Sequence, residues 1–146
     1  MKKASSDLLL LDVNVLLAIA WPNHQFHAAA VGVLSSHNRW ATCALTQLGF
    51  IRLSSNPAAI ATAKSPQEAV GLLGRLVADS LHTYLEDLPA PASETWRDAF
   101  AGLLGHQQVT DAYLLRLAAI NNAALVAFDR RLNSLAGGRP EVIVLG

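Results

Sequence analysis

Three aspartates carry the first chemical argument. Asp12 ends the run LLLLDVN (residues 8–14), Asp129 ends ALVAFD (124–129), and Asp111 sits in VTDAYL (109–114). The first two share one form, an apolar stretch whose next residue is an acid. In open parallel sheets, ligands bind beyond the carboxyl ends of the strands, where such residues would point. Carboxylates gathered in one place repel and raise one another's pKa. A fold tolerates that chiefly where a cation sits among them. Oxygen-only donors suit Mg²⁺ or Mn²⁺ better than Zn²⁺. Such an ion holds phosphoryl oxygens, lowers the pKa of bound water and steadies a leaving alkoxide. A duller role stands beside this one. Taken singly, each aspartate also fits a helix cap, and spacing alone leaves the two readings level.

The elements that must position these acids alternate between strand and helix. Leu8–Leu11 reads as a buried strand and Val13–Ala20 as a short apolar helix stopped by Pro22. Residues 24–36 read as an alanine-rich helix, 40–44 as a strand and 45–53 as a helix ended by Asn56-Pro57. Ser65-Pro66 with Glu68 opens a helix running to about Asp79. Residues 81–85 follow as a strand, and Ser93 caps a helix over 94–104. The last elements are a helix over 112–120, opened by Thr110 or Asp111, and strands at 123–128 and 142–145. This order predicts an α/β domain with a mainly parallel sheet, helices on both faces and uniformly apolar strands.

With 146 residues the chain reads as a single domain, 1–146, able to bury a full core. It is 52% hydrophobic and 15% charged, and its eleven basic and eleven acidic residues balance. Bulk charge therefore names no partner, and any nucleic acid must be met by a local basic patch. The lone Cys43 excludes a disulfide framework and fits a reducing, cytoplasmic location. The apolar run after Lys2 and Lys3 is too short for a signal peptide, and no apolar segment reaches membrane-spanning length.

Three segments in order, LDVNVLLAIAWPNHQFHAAA, WATCALTQLGFIRLSSNP and VTDAYLLRLAAINNAALVAFDRRL, resemble the PIN-domain ribonucleases. Within them the similarity is to the VapC toxins of type II toxin–antitoxin systems. The resemblance covers nearly the whole chain. It implies an α/β/α sandwich and metal-dependent RNA cleavage at a carboxylate cluster, leaving a 5′-phosphate and a 3′-hydroxyl. By position it makes Asp12, Asp111 and Asp129 the catalytic and Mg²⁺- or Mn²⁺-binding residues. Asn14 would support Asp12, with Thr110 beside Asp111. It also implies a VapB-type antitoxin that inserts a segment, often with an arginine, into the acidic site, and a homodimer. One position departs from the family. The second acid is usually Glu in a T-E-x-x-F-like motif, and here it is Gln47 in Thr46-Gln47-Leu48-Gly49-Phe50. Three carboxylates instead of four imply weaker metal binding.

Two other readings remain open. One is a weakened PIN domain that acts by binding antitoxin or RNA. The other is a haloacid-dehalogenase-type phosphatase, which also begins with an apolar strand ending D-x-D. Here the second Asp is Asn14, which removes the expected general acid.

Arg130 and Arg131 follow Asp129 directly and are candidates for RNA phosphate contact, which would position RNA without reading its sequence. His24 and His27 share a helix spacing, but capping or packing explains them more simply than metal binding. Trp40 reads as core. The apolar helices at 16–19 and 24–36 offer more apolar surface than one small core requires, enough for a homodimer face or an antitoxin groove.

Overall fold

The computed structural model describes residues 7–35, 38–100, 105–138 and 140–145. Four leucines, Leu8–Leu11, form β1, and all four are buried. A strand with no polar alternation needs cover on both faces, which places it inside a sheet. β1 is indeed central. With β2 (Arg39–Cys43), β3 (His82–Leu85), β4 (Ala124–Ala127) and β5 (Val142–Val144) it forms a parallel sheet in the order β3-β2-β1-β4-β5.

Seven helices accompany these strands among the described residues: α1 (Val13–Ala20), α2 (His27–Leu34), α3 (Ala44–Ser54), α4 (Pro66–Val77), α5 (Glu94–Phe100), α6 (Val109–Ile120) and α7 (Arg131–Ala136). Strand side chains alternate between two cores. Leu9, Leu11, Trp40, Ala124 and Val126 pack with Val15 and Leu16 of α1, Phe50 of α3 and Leu73 of α4. Leu8, Leu10, Ala41, Leu125 and Ala127 pack with Leu114, Leu117 and Ala118 of α6 and Leu132 of α7. Each fully buried leucine contributes about 1.5–3 kcal/mol. The result is the expected helix–sheet–helix sandwich.

The strand order creates a switch point. From β1 the chain moves to one side through β2 and β3, then returns to pair β4 on the other side of β1. A crevice opens beyond the carboxyl ends of strands at such a point. Asp12 and Asp129 follow the two strands that flank it.

Local signals account for the helix starts. Ser65 accepts from the Glu68 N–H at 3.1 Å while Glu68 accepts from the Ser65 N–H at 2.9 Å, with Pro66 in the first turn. At α3 the Cys43 N–H donates to Thr46 Oγ1 at 3.0 Å. Gly49 of α3 lies against α1 so closely that a Cβ there would fall 2.8 Å from Val13 Cγ2.

Several expectations need correction. The 24–36 helix is shorter: α2 begins at His27, because His24 to Phe26 form a turn in which the Phe26 N–H donates to His24 Nδ1 at 3.1 Å. The end of the expected 94–104 helix, at 101–104, lies outside the described residues; the described part is Glu94–Phe100. The strands are not uniformly apolar, since β3 is an edge strand reading HTYL with Tyr84 exposed. The apolar surplus of residues 16–19 is largely absent: Leu16, Leu17 and Ala18 are at most 5% exposed, and the core takes them up.

Candidate active site at the carboxyl edge of the sheet

Asp12 is held at both ends of its backbone. Its N–H donates to Val126 O of β4 at 3.0 Å, and its carbonyl accepts from Leu16 N–H of α1 at 3.0 Å. Its extended backbone (φ −64°, ψ 158°) turns the chain from strand into helix, and Oδ1 accepts the Val13 N–H at 2.8 Å. The capping role and the site role therefore coexist in one residue. Burial pushes its carboxyl up to about 6, against the Val13 bond, and the charges of Asp111 and Asp129 push the same way.

Asp111 arrives from the other core. α6 runs back along the sheet into β4, so its first turn lies at the carboxyl edge, and Asp111 is in that turn. It caps nothing, since α6 begins two residues earlier. Burial raises its carboxyl, Asp129 adds to that, and Arg131 opposes it.

Asp129 behaves oppositely. Its Oδ1 accepts the Arg131 backbone N–H at 2.9 Å, and the Arg131 guanidinium reaches both oxygens, with Nη2 2.9 Å from Oδ2. Those bonds hold its carboxyl below the ordinary range. The three acids thus occupy one edge and influence one another electrostatically. Even so, among the described residues no three His, Cys, Asp or Glu side chains form a group able to hold a metal ion as they stand. The pairing of Asp129 with Arg131 supplies a physical reason: one of the three carboxylates already has a cation.

A cavity of about 610 Å³ opens beside them, lined by Asp111, Asp129, Arg131, His106, Gln108 and Leu132, among others. His106 and Gln108 were not singled out by sequence, because no motif surrounds them. Asn14 is exposed on α1 and makes no hydrogen bond to Asp12 among the described residues. The helix start that lets Asp12 cap α1 carries the next turn outward. Thr110 is exposed on the other side of Asp111, in a second, apolar cavity of about 560 Å³ lined by Leu45, Leu48, Leu88, Phe100, Val109 and Tyr113. Arg130 is exposed and has no ion-pair partner among the described residues. Gln47, in the first turn of α3, donates from Nε2 to Thr42 Oγ1 at 3.0 Å rather than to any of the aspartates. His24 and His27 serve the turn: His27 Nδ1 lies 2.7 Å from Ala18 O, and His24 stacks on Phe128.

Residues 9–138 match the family model described as PIN domain. This chain belongs to the PIN-domain family. The chain is 39% identical over 139 residues to ribonuclease VapC39 of Mycobacterium tuberculosis, covering 92% of this chain and 98% of the relative. It is 37% identical to ribonuclease VapC38 of the same organism, covering 94% and 96%. These relatives make it a VapC-type member of the PIN family. Two solved structures share its fold. One is VapC20 of M. tuberculosis, a sarcin–ricin loop cleaving toxin (TM-score 0.69, 13% identity, 92% of this chain and 98% of the other). The other is VapBC2 of Rickettsia felis, bound to a promoter DNA fragment (TM-score 0.62, 11% identity, 95% and 99%).

The donor set of this PIN domain suits a small divalent ion. All three side chains offer carboxylate oxygen, the preference of Mg²⁺ and Mn²⁺. Burial raises the carboxyls of Asp12 and Asp111, and neighbouring acids add to it; a cation between them would relieve both effects.

Proposed function

We propose that this VapC-type PIN domain is an endoribonuclease, the toxin of a toxin–antitoxin pair, hydrolysing RNA phosphodiester bonds with Mg²⁺ or Mn²⁺. The observation that supports it most is the placing of Asp12, Asp111 and Asp129 along one edge of the sheet, near enough that the charges of Asp111 and Asp129 help burial push Asp12 up to about 6. Asp12 and Asp111 would hold the ion, with Asp129 joining directly or through water once Arg131 lets go. When bound, the ion would supply charge against phosphoryl oxygens and acidify water. The chain's own part is orientation. Asp12 is fixed by backbone bonds on both sides and cannot swing away. Arg131 can exchange the Asp129 carboxylate for an RNA phosphate, which an exposed guanidinium binds equally well. Arg130, exposed and next in sequence to Asp129, would be a second candidate for phosphate contact. Substrate choice would follow single-stranded or loop features of the RNA.

The partner would be a VapB-type antitoxin whose apolar segment fits the second cavity, which meets the acidic edge at Thr110-Asp111. A homodimer in the cytoplasm completes the reading, and no helix among the described residues is long and apolar enough to cross a membrane.

Gln47 keeps a second reading open, that of a domain acting by binding alone, because the position where the family usually has its second acid is neutral here. The phosphatase reading gains no support, since the exposed Asn14 offers no acid.

RNA cleavage by the purified protein, with Mg²⁺, with Mn²⁺ and with chelator, decides between nuclease and binding module. Cleavage that needs the ion and is lost in Asp12→Asn and Asp111→Asn is expected. Equal cleavage by wild type and both variants would expose a contaminant. No cleavage of several structured RNAs would leave the binding reading.

A further inference from the structure

Gln47 is tied into a polar chain that runs through the buried Thr42 to the half-buried His82. Its Nε2 donates to Thr42 Oγ1 at 3.0 Å, and Thr42 Oγ1 lies 2.8 Å from His82 Nε2. Thr42 is fully buried on β2. Trp40 pairs with His82 in the β2–β3 register and Thr42 with Tyr84, so Thr42 and His82 are diagonal neighbours on one face. The His82 ring is clamped there. Trp40 packs against it edge-on at 4.6 Å, and Trp40 Nε1 donates to Asp79 Oδ2 at 2.8 Å.

We propose that His82, acting through Thr42, is a positioning residue for Gln47, fixing its amide so that Oε1 rather than Nε2 is the atom offered at the carboxyl edge of the sheet. The inference rests on the nuclease reading for its consequence. It rests on donor counting for its logic. A hydroxyl has one proton to give. If Thr42 gives it to His82 Nε2, it must accept from Gln47, and the Gln47 NH₂ has to face it. If His82 Nε2–H and the Gln47 NH₂ both donated, as the two lone pairs of the hydroxyl allow, the buried Thr42 proton would be left without an acceptor among the described residues; for that proton to go to Gln47, the amide would have to turn over. With the NH₂ of the amide facing Thr42, the arrangement that gives every proton an acceptor makes the ring nitrogen the acceptor. Burial lowers the His82 pKa, with Asp79 opposing, which favours the neutral ring that can accept. Oε1 is then left with no partner among the described residues. A neutral residue at the family's acidic position thereby keeps an acceptor oxygen in a set direction, which a freely turning amide would offer only part of the time.

Two readouts on the full chain test this. The first is the ¹⁵N spectrum of the His82 ring in metal-free protein at neutral pH. Wild type should show Nδ1 protonated and Nε2 bare. Gln47→Glu should move the ring proton to Nε2, because a carboxylate cannot donate to Thr42 and turns the whole chain of bonds round. The second is RNA cleavage with Mn²⁺. Thr42→Val should lower kcat about tenfold with KM within about twofold, and Thr42→Ser should restore it. Nε2 protonated in wild type, an unchanged tautomer in Gln47→Glu, or full activity in Thr42→Val would each overturn the proposal. Should wild type itself fail to cleave RNA, the nuclease reading falls, while the His82 tautomer still decides whether the relay exists.

Discussion

Arg131 grips both carboxylate oxygens of Asp129 from only two residues along the chain, with Nη2 2.9 Å from Oδ2 and Nε 3.1 Å from Oδ1. Both side chains are open to water (79% and 37% exposed), so the pair is cheap to break. It occupies a carboxylate that the proposed ion would use. Arg131 is then a resident competitor, displaced when something better reaches either partner.

Removing that competitor should be measurable. In Arg131→Met the Asp129 carboxyl should rise toward its ordinary range, since Arg131 is what lowers it. Mn²⁺ affinity by calorimetry should increase roughly three- to tenfold, because the ion no longer displaces a guanidinium. Unchanged affinity would show that the pair does not compete.

Asp12 predicts an unusual pH dependence of stability without metal. Its folded pKa, about 6, lies above the ordinary 3.8, so the folded state holds the proton more tightly. The cost of burying the charge is therefore present in full above pH 6. It fades as pH falls and is gone below about 4. Asp12→Asn keeps the oxygen that caps α1 and removes the charge. It should be more stable than wild type by about 3 kcal/mol at pH 7.5 and close to it near pH 4. Denaturant melts at the two pH values settle this, and a destabilised Asp12→Asn at pH 7.5 would contradict it.

An ion should close that gap. Mn²⁺ at a hundred times its Kd should stabilise wild type by about 2.7 kcal/mol. Asp12→Asn and Asp111→Asn should respond little in the same thermal melts. An equal response in all three proteins would place metal binding elsewhere.

The apolar cavity gives a test that spares the acids. Leu48 is 66% exposed on its rim. Leu48→Glu should leave stability within about 0.5 kcal/mol and RNA cleavage unchanged. Affinity for the cognate antitoxin should fall at least tenfold by calorimetry, since a buried carboxylate would lack a partner. Undiminished binding would move the antitoxin to another face.

The three aspartates were legible because parallel sheets put chemistry where strands end, and two of the three follow apolar strands directly. Asp111 was harder, since its place depends on α6 running back along the sheet from the same edge. What stayed hidden was pairing. Nothing in D-R-R says that the second arginine, not the first, turns back on the acid. His82 stands 40 residues from Thr42, and only the β2–β3 register brings them together. Asn14 was assigned from the family resemblance alone, and the phase of α1 leaves it exposed. The apolar helix at 16–19 suggested a partner, but length alone did not reveal how much sheet α1 must cover.

Gly49 has a bearing on the cleft itself. α1 starts at Asp12 and α3 carries Gln47, and the two helices touch where Gly49 meets Val13, 2.8 Å from any added Cβ. A methyl group at 49 would act as a wedge, since a valine side chain has little room to turn aside. The two helix starts would be levered apart. The spacing of the helices that carry Asp12 and Gln47 is therefore set from within the core, at a glycine remote from the acids themselves.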